Sequence, residues 1–196
     1  METTTDEDFS ETDLHGREFA QHTFTDCDFS GADLRTATTT GCTFIDCRFT
    51  RADLGESRHT TTAFRTCSFD RATLTDSTFT GCSLIGSTFT DVRFRPITIT
   101  DTDLTLVSLA GAALRKTDLR GLRLREANLL DADLRECDLR EADLSGARLH
   151  GARLDGTDLR GTRLDANGLV AANLRGARVD VDLALSFAAA QGLVIG

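Results

Sequence analysis

The chain has 196 residues, of which 40% are hydrophobic and 6% aromatic, with no Trp, no Tyr and one Pro. This length suits a single domain, and the abundance of Leu together with 12 Phe excludes a disordered chain. The net charge of −9, from 31 acidic and 22 basic side chains, opposes direct binding to nucleic acid or to an anionic membrane.

The N-terminal segment 1–8 is predicted to be an acidic extension. Neither a signal peptide nor a membrane span is expected, because residues 1–13 are polar and acidic and no long apolar run follows. We therefore place the protein in the cytoplasm, where thiols stay reduced. The six Cys are expected to be free and buried: Cys27, Cys42, Cys47, Cys67, Cys82 and Cys137.

From Phe9 to Val179 the sequence repeats every five residues without an insertion or a deletion. Of the 35 central positions, 33 hold Phe, Leu, Ile or Val, and Thr39 and His59 are the two exceptions. The residue two positions before each centre is mostly Ala, Cys, Ser or Thr. A period of five fits neither a helix nor a simple strand, and it indicates a coil with flat sides and two inward residues per side.

The spacing of like residues gives the number of sides. Phe recurs every 20 residues from Phe9 to Phe89, and Thr39 and His59 also lie 20 residues apart. Four sides per coil explain both coincidences. The prediction for residues 9–181 is an all-β, square-sectioned parallel β-solenoid of nearly nine coils, roughly 40 Å long.

Two local irregularities are expected in this solenoid. Pro96 lacks an N–H group, so a kink or an irregular coil is predicted there. His59 at a central position is interpreted as a distorted coil or a surface loop, with a pH-sensitive or ligand-binding role as the alternative.

The segment 182–196 departs from the repeat and is predicted to form a short helix with a tail, with Asp182 as its N-cap and Gly192 at its C-terminus. The helix would cover the open end of the solenoid, and its remaining apolar surface would meet a second copy. Phe187→Asp is expected to yield a monomer. The predicted dimer contacts are Leu183, Phe187, Leu193, Val194 and Ile195.

No catalytic, metal or cofactor motif is found, so no cofactor and no enzymatic activity are predicted. The six Cys lack zinc-type CxxC spacing, although Cys27, Cys47 and Cys67 would stack in one column. Flat, solvated sides give carboxylates no pocket that would shift their pKa values. The surface is what remains for function.

Charged side chains recur in columns along the predicted rod. Asp118, Asp138 and Asp158 share one column with Arg120, Arg140 and Arg160 beside it, which fits either mutual neutralisation or an anionic rod that a DNA-binding protein could accept. A dimer of about 80 Å would carry −18, against roughly −47 for duplex DNA of that length. The candidate partner-binding carboxylates are Asp101, Asp103, Asp118, Glu126, Asp131, Glu136, Asp138, Glu141 and Asp158.

In its repeated A(D/N)LXX units the chain resembles the pentapeptide-repeat family. Five segments resemble the mycobacterial fluoroquinolone-resistance members of that family: residues 95–98, 103–106, 143–148, 177–182 and 187–190. The resemblance implies a right-handed quadrilateral β-helix that dimerises through its C-terminal helix and kinks at Pro96. It also implies binding to DNA gyrase, imitation of B-form DNA and protection of gyrase from quinolones. The alternative hypothesis is a scaffolding solenoid for another protein.

Overall fold

The computed structural model describes residues 2–194. Nine short strands and two helices lie along a stack of coils, and all strand pairs are parallel. The elements are β1 (Glu2–Thr5), β2 (Glu18–Ala20), β3 (His22–Thr25), β4 (Thr38–Thr40), β5 (Thr43–Ile45), β6 (Arg58–Thr60), β7 (Ala63–Arg65), β8 (Ser77–Thr80), β9 (Ile97–Thr100), α1 (Ala166–Leu169) and α2 (Val181–Ala190).

Every pairing joins residues 20 positions apart, which confirms the four-sided coil. Two sheets run along the rod, in the orders β1-β3-β5-β7 and β2-β4-β6-β8-β9, and single bridges extend the register as far as Asp158 and Arg178. Rings stacked in one column, such as Phe49 and Phe69, lie 4.8 Å apart between centroids. The coil rise is therefore that of a β-sheet, and nearly nine coils stack along the axis.

The core is a narrow apolar column filled from all four sides. Central Phe and Leu side chains are buried together with the small residues two positions before them. All six Cys are free and buried, and burial raises the pKa of the Cys137 thiol to about 11. Small inward residues let the large central side chains of neighbouring sides meet on the axis.

Residues 2–8 belong to the solenoid, which corrects the prediction of an extension over 1–8. Strand β1 pairs with β3 in the common register, and the central position is held by Thr4, whose Oγ1 lies 2.8 Å from His22 Nε2. A Thr-rich segment favours strand structure, and the edge of the first full coil offers unpaired backbone groups. The repeat therefore begins one side earlier than its apolar centres indicate.

His59 lies in the core on a regular strand, so the predicted distorted coil or surface loop is wrong. The imidazole is 3% exposed, and its strand keeps the common register with both neighbours. Thr39 Oγ1 lies 2.8 Å from Nδ1 and Ser57 Oγ lies 2.9 Å from Nε2, while the ring stacks on Phe79 at 4.6 Å. Hydrogen bonds to both nitrogens make the buried ring compatible with a Phe-rich core.

Two adjacent sides lose their coil-to-coil hydrogen bonds between residues 92–101 and 112–121. Over most of the rod the central residue and the corner residue two positions later donate to the next coil, as Leu74 N does to Arg93 O. Here the N–H groups of Phe94, Ile99 and Asp101 donate to no backbone carbonyl of the next coil within the described chain. The parallel ladder is therefore interrupted near the middle of the rod.

The interruption contains Pro96, which has no N–H group to donate. The equivalent residue one coil later, Lys116, donates to Arg135 O at 2.9 Å. At Pro96 the guanidinium of Arg95 takes over, and its Nη1 donates to Arg115 O at 2.8 Å. The irregular coil expected at this Pro is thus seen as lost hydrogen bonds, and a change in the direction of the rod axis stays a prediction.

Helix α1 replaces part of one side in the last coil, where the sequence predicts an unbroken repeat. Its N-cap is Asp165, whose carboxylate accepts a hydrogen bond from Asn167 N. The four-residue turn also changes the partner of Gly151, whose N–H donates to Ala171 O, one residue later than the regular register would give. The five-residue spacing survives, because the turn takes the same number of residues as the side it replaces.

The N-cap of helix α2 is Asp180 instead of Asp182, so the helix begins two residues earlier than the predicted cap requires. The Asp180 carboxylate accepts from Leu183 N at 2.9 Å and from Gly161 N at 3.0 Å. One side chain thus caps the helix and fixes it to a corner of the preceding coil. Asp182 lies in the first turn, where a negative charge favours the helix dipole.

Candidate functional site

The nine predicted partner-binding carboxylates do not form one stripe. Asp101, Asp118, Asp138, Glu141 and Asp158 lie on one side of the rod, as their shared 20-residue register requires. The remaining four point to the other three sides, with Asp103 and Glu126 on one and Asp131 and Glu136 on one each. The sequence signal that separates them is the residue number: residues whose numbers differ by about a multiple of 20 lie on the same side.

The side with three stacked Asp is a ladder of ion pairs. Arg120, Arg140 and Arg160 each bind the Asp two residues earlier at 2.6 Å. Longer contacts join consecutive coils, with Arg120 Nε 3.6 Å from Asp138 and Arg140 Nε 3.9 Å from Asp158. The hydrogen bonds from Arg160 hold the pKa of Asp158 at about 2. Acid and base alternate here, so this side is neutralised from within.

Four of the predicted carboxylates occupy the four corners of one coil. Each of these corners has a positive φ, from 55° to 61°. The corners of the next coil are all Gly, and a Cβ at Gly146 would lie 3.1 Å from Glu126 Cγ. Because the side chains diverge around the rod, they share no ligand site: Glu126, Asp131, Glu136 and Glu141.

The excess negative charge lies in the first three coils, whereas the candidate carboxylates predicted from the sequence lie between Asp101 and Asp158. Residues 1–61 contain 13 acidic and five basic side chains, whereas residues 62–196 contain 18 and 17. Asp6, Asp26 and Asp46 stack on one corner, all are exposed, and none makes an ion pair within residues 2–194. We call these three residues the acidic edge. A charge count taken coil by coil would have found it.

A cleft of about 380 Å³ lies beside the interrupted ladder. Asp101, Asp118, Arg120, Arg140 and Glu141 contribute its charged walls, and Ile99 contributes an apolar side chain that is only half-buried. Three carboxylates against two guanidinium groups leave the cleft close to neutral.

The C-terminal end carries the largest group of exposed apolar side chains. Leu183 is buried, and Phe187 packs against the core on the same helix face. The opposite face of α2 presents Val181 and Leu185, which are 73% and 45% exposed. Leu193 and Val194 are exposed beyond the helix, and the predicted contact Ile195 lies outside the described residues.

Metal-binding clusters and membrane-spanning helices are two further classes of feature. Among residues 2–194 no three His, Cys, Asp or Glu side chains are grouped so that they could hold a metal ion. Over the same residues, no helix has the length and apolar character needed to cross a membrane.

Comparison with known proteins matches the repeat over most of the chain. A model of pentapeptide repeats matches residues 8–38, 27–58 and 142–179, and a model of a pentapeptide repeat region matches residues 72–149. The pentapeptide repeat protein MfpA of Mycobacterium tuberculosis is 51% identical over 43 residues, which are 22% of this chain. The match spans about a quarter, 24%, of that relative's length.

Solved structures match the whole fold. Full-length QnrB1, a plasmid-mediated fluoroquinolone resistance protein, has a TM-score of 0.81 at 23% identity over 97% of this chain and 100% of its own. A trypsin-treated QnrB1 variant reaches 0.82 at 23% identity, and another 0.74 at 26%, each covering 100% of this chain and 98% of its own. The chain belongs to the pentapeptide-repeat family and resembles its MfpA and QnrB1 members.

Proposed function

We propose that this protein binds DNA gyrase as a non-catalytic imitation of duplex DNA, modulates its supercoiling activity and protects it from fluoroquinolones. The similarity to MfpA and to QnrB1, a fluoroquinolone resistance protein, supports this function. Gyrase must grip a duplex on a basic surface, and an acidic rod can compete for that surface. Such an action takes place in the cytoplasm.

The linear charge density of the first three coils is the observation that carries the proposal. Three coils at a rise of about 4.8 Å span about 14 Å, over which duplex DNA carries roughly eight phosphate charges. Residues 1–61 have 13 acidic and five basic side chains, a net charge of −8. The N-terminal third therefore matches duplex DNA in charge per length, although the whole chain does not.

This density requires carboxylates that are free to meet a partner. The acidic edge fulfils the requirement, because its side chains are exposed and make no ion pair among residues 2–194; Asp46 accepts a hydrogen bond from the Thr66 hydroxyl but keeps its charge unpaired. On the neutralised side, every Asp from Asp118 to Asp158 already binds an Arg. A basic groove on gyrase would gain more from the acidic edge than from that side.

Purified gyrase holoenzyme tests the function directly. We expect the protein to inhibit supercoiling, to change ATPase activity and to reduce quinolone-stabilised cleavage. Binding to gyrase should weaken steeply with salt, as electrostatic association with a basic groove does. No effect on supercoiling, ATPase activity or cleavage would refute the proposal and favour the alternative, a scaffold whose partner a pulldown would identify.

Two triple variants with equal charge change locate the contact. Asp6, Asp26 and Asp46 changed together to Asn should weaken gyrase binding and flatten its salt dependence. Asp118, Asp138 and Asp158 changed together to Asn should have the smaller effect, because those carboxylates are already paired. A larger effect of the second triple variant on gyrase binding would instead place the contact on the neutralised side.

We also propose a homodimer joined at the C-terminal ends. The exposed face of α2, formed by Val181 and Leu185, continues into the exposed side chains of Leu193 and Val194. Leu183 and Phe187 cover the end of their own solenoid, so they would support this surface from beneath. A two-fold contact would bury the apolar face on both copies.

A further inference from the structure

Leu106 occupies a corner position that conflicts with its side chain. Its φ is 60°, and it is the single aliphatic residue among the non-Gly positive-φ positions of residues 2–194. A large side chain in this left-handed region is disfavoured, and Gly occupies the same corner one coil earlier, at Gly86. Leu106 is 53% exposed, so burial does not offset the cost.

Ile85 lies one coil before Leu106, next to the equivalent corner residue Gly86, and is 37% exposed. The two residues are 21 positions apart across a corner. Gly86 N donates to Thr105 O at 3.1 Å, so Ile85 and Leu106 flank the same coil-to-coil hydrogen bond at this corner. Ile85 and Leu106 thus form one small apolar surface, which we call the apolar anchor.

The apolar anchor stands alone on the body of the rod. Within the described chain, the other large apolar side chains that are exposed lie at or after Val170, around the C-terminal end. The other large aliphatic side chains at outward positions of the body, Ile45 and Leu130, are partly buried. An exposed aliphatic pair at a strained corner has no structural reason in the isolated protein, and such outliers concentrate at functional surfaces.

The anchor lies on the same corner as the acidic edge. Asp6, Asp26 and Asp46 precede Leu106 in one column, with Thr66 and Gly86 between them. Leu106 is three coils beyond Asp46, a distance of about 14 Å along the axis. A partner that lays a basic groove on the acidic edge would therefore meet Leu106 directly beyond that groove.

We infer that Ile85 and Leu106 anchor the rod in an apolar pocket of its protein partner, at the end of a basic groove that holds the acidic edge. This inference rests on the proposed function and assigns the binding surface. The carboxylates would guide association, whereas insertion of Leu106 would slow dissociation. Duplex DNA has no counterpart of such an aliphatic group, so the anchor would distinguish this rod from the nucleic acid that it imitates.

Leu106→Gly separates binding from folding, because Gly adopts a φ of 60° without steric cost. We expect its melting temperature to equal or exceed that of the wild type, while its Kd for gyrase holoenzyme rises about tenfold, as for an interface hot spot. The slope of affinity against salt should stay unchanged, in contrast to the Asn variants of the acidic edge. Ile85→Thr, which places the residue of Thr25 and Thr105 at the same column position, should weaken binding in the same direction.

Thr36→Gly is the matched control, since Thr36 is an exposed corner residue with a φ of 56° on another edge. It should leave gyrase binding unchanged. Wild-type binding together with an affinity of Leu106→Gly within twofold of it would overturn the apolar anchor and leave the proposed function intact. A wild type that does not bind gyrase would overturn both.

Discussion

Single residues decide how this solenoid keeps a polar group in its core. His59 is buried between Thr39 and Ser57, which hydrogen-bond its two ring nitrogens. Burial lowers the pKa of the imidazole from its usual value near 6.5 to about 3, so the ring is neutral in the folded protein. The five-residue pattern marks His59 only as an exception and does not predict its burial, because its partners lie 20 and two residues away and follow from the coil geometry.

The low pKa of His59 makes stability depend on pH. The unfolded chain binds a proton on His59 below about pH 6.5 and the folded chain does not until about pH 3. The free energy of unfolding should therefore fall as the pH falls between these values, by up to about 1.4 kcal/mol per pH unit from this residue. Urea unfolding of the wild type and of His59→Phe at pH 7, 6 and 5 measures it.

In that comparison the other three His are common to both proteins and cancel. The wild type should lose stability faster than the variant as the pH drops. Parallel lines for the two proteins would mean that His59 gains its proton in the folded state.

Single elements show where the repeat is uniform and where it is not. The small-x-central pattern predicted the register correctly from Phe9 onward, because two inward residues per side fill the axis. It missed β1, whose central residue is Thr4, and it chose Asp182 over Asp180 as the helix cap. Those choices depend on which backbone groups lie opposite, such as Gly161 N, and not on residue type alone.

The interrupted ladder is an element-scale feature that amide exchange can detect. Phe94, Ile99 and Asp101 lack the coil-to-coil bonds that Leu74 N makes to Arg93 O at 2.8 Å and Gly81 N to Thr100 O at 3.0 Å. We expect the first three amides to exchange faster than those of Leu74 and Gly81, since exchange follows local hydrogen bonding. Equal protection at all five positions would mean that the ladder is continuous in solution.

The whole molecule is an asymmetric rod in charge. The sequence predicted stacked columns, yet it led us to carboxylates between Asp101 and Asp158 because they recur regularly. Recurrence does not show whether an Arg two residues away neutralises each Asp, or on which of four sides a carboxylate lies. The acidic edge near the N-terminus lacks those Arg partners, and this difference sets the charge density.

The proposed dimer is tested at the scale of the molecule. Leu185→Asp places a charge on the exposed face of α2, so we expect a monomer by light scattering. Ile85→Asp makes the same chemical change at an exposed position on the body and should stay dimeric. Phe187→Asp, which the sequence suggests, would also break the cover of the solenoid end, because Phe187 packs against the core. A dimeric Leu185→Asp protein would place the contact elsewhere.

The constant register of 20 residues also makes the rod a molecular ruler. Removal of residues 122–141 would join Gly121 to Ala142, which holds the position of Leu122 one coil later. The shortened chain would keep its side-by-side pairing while its length falls by about 4.8 Å. Deletion or insertion of whole coils would thus change the distance between the acidic edge and the C-terminal contact in fixed steps. The affinity of a partner that binds both ends would depend on the number of coils.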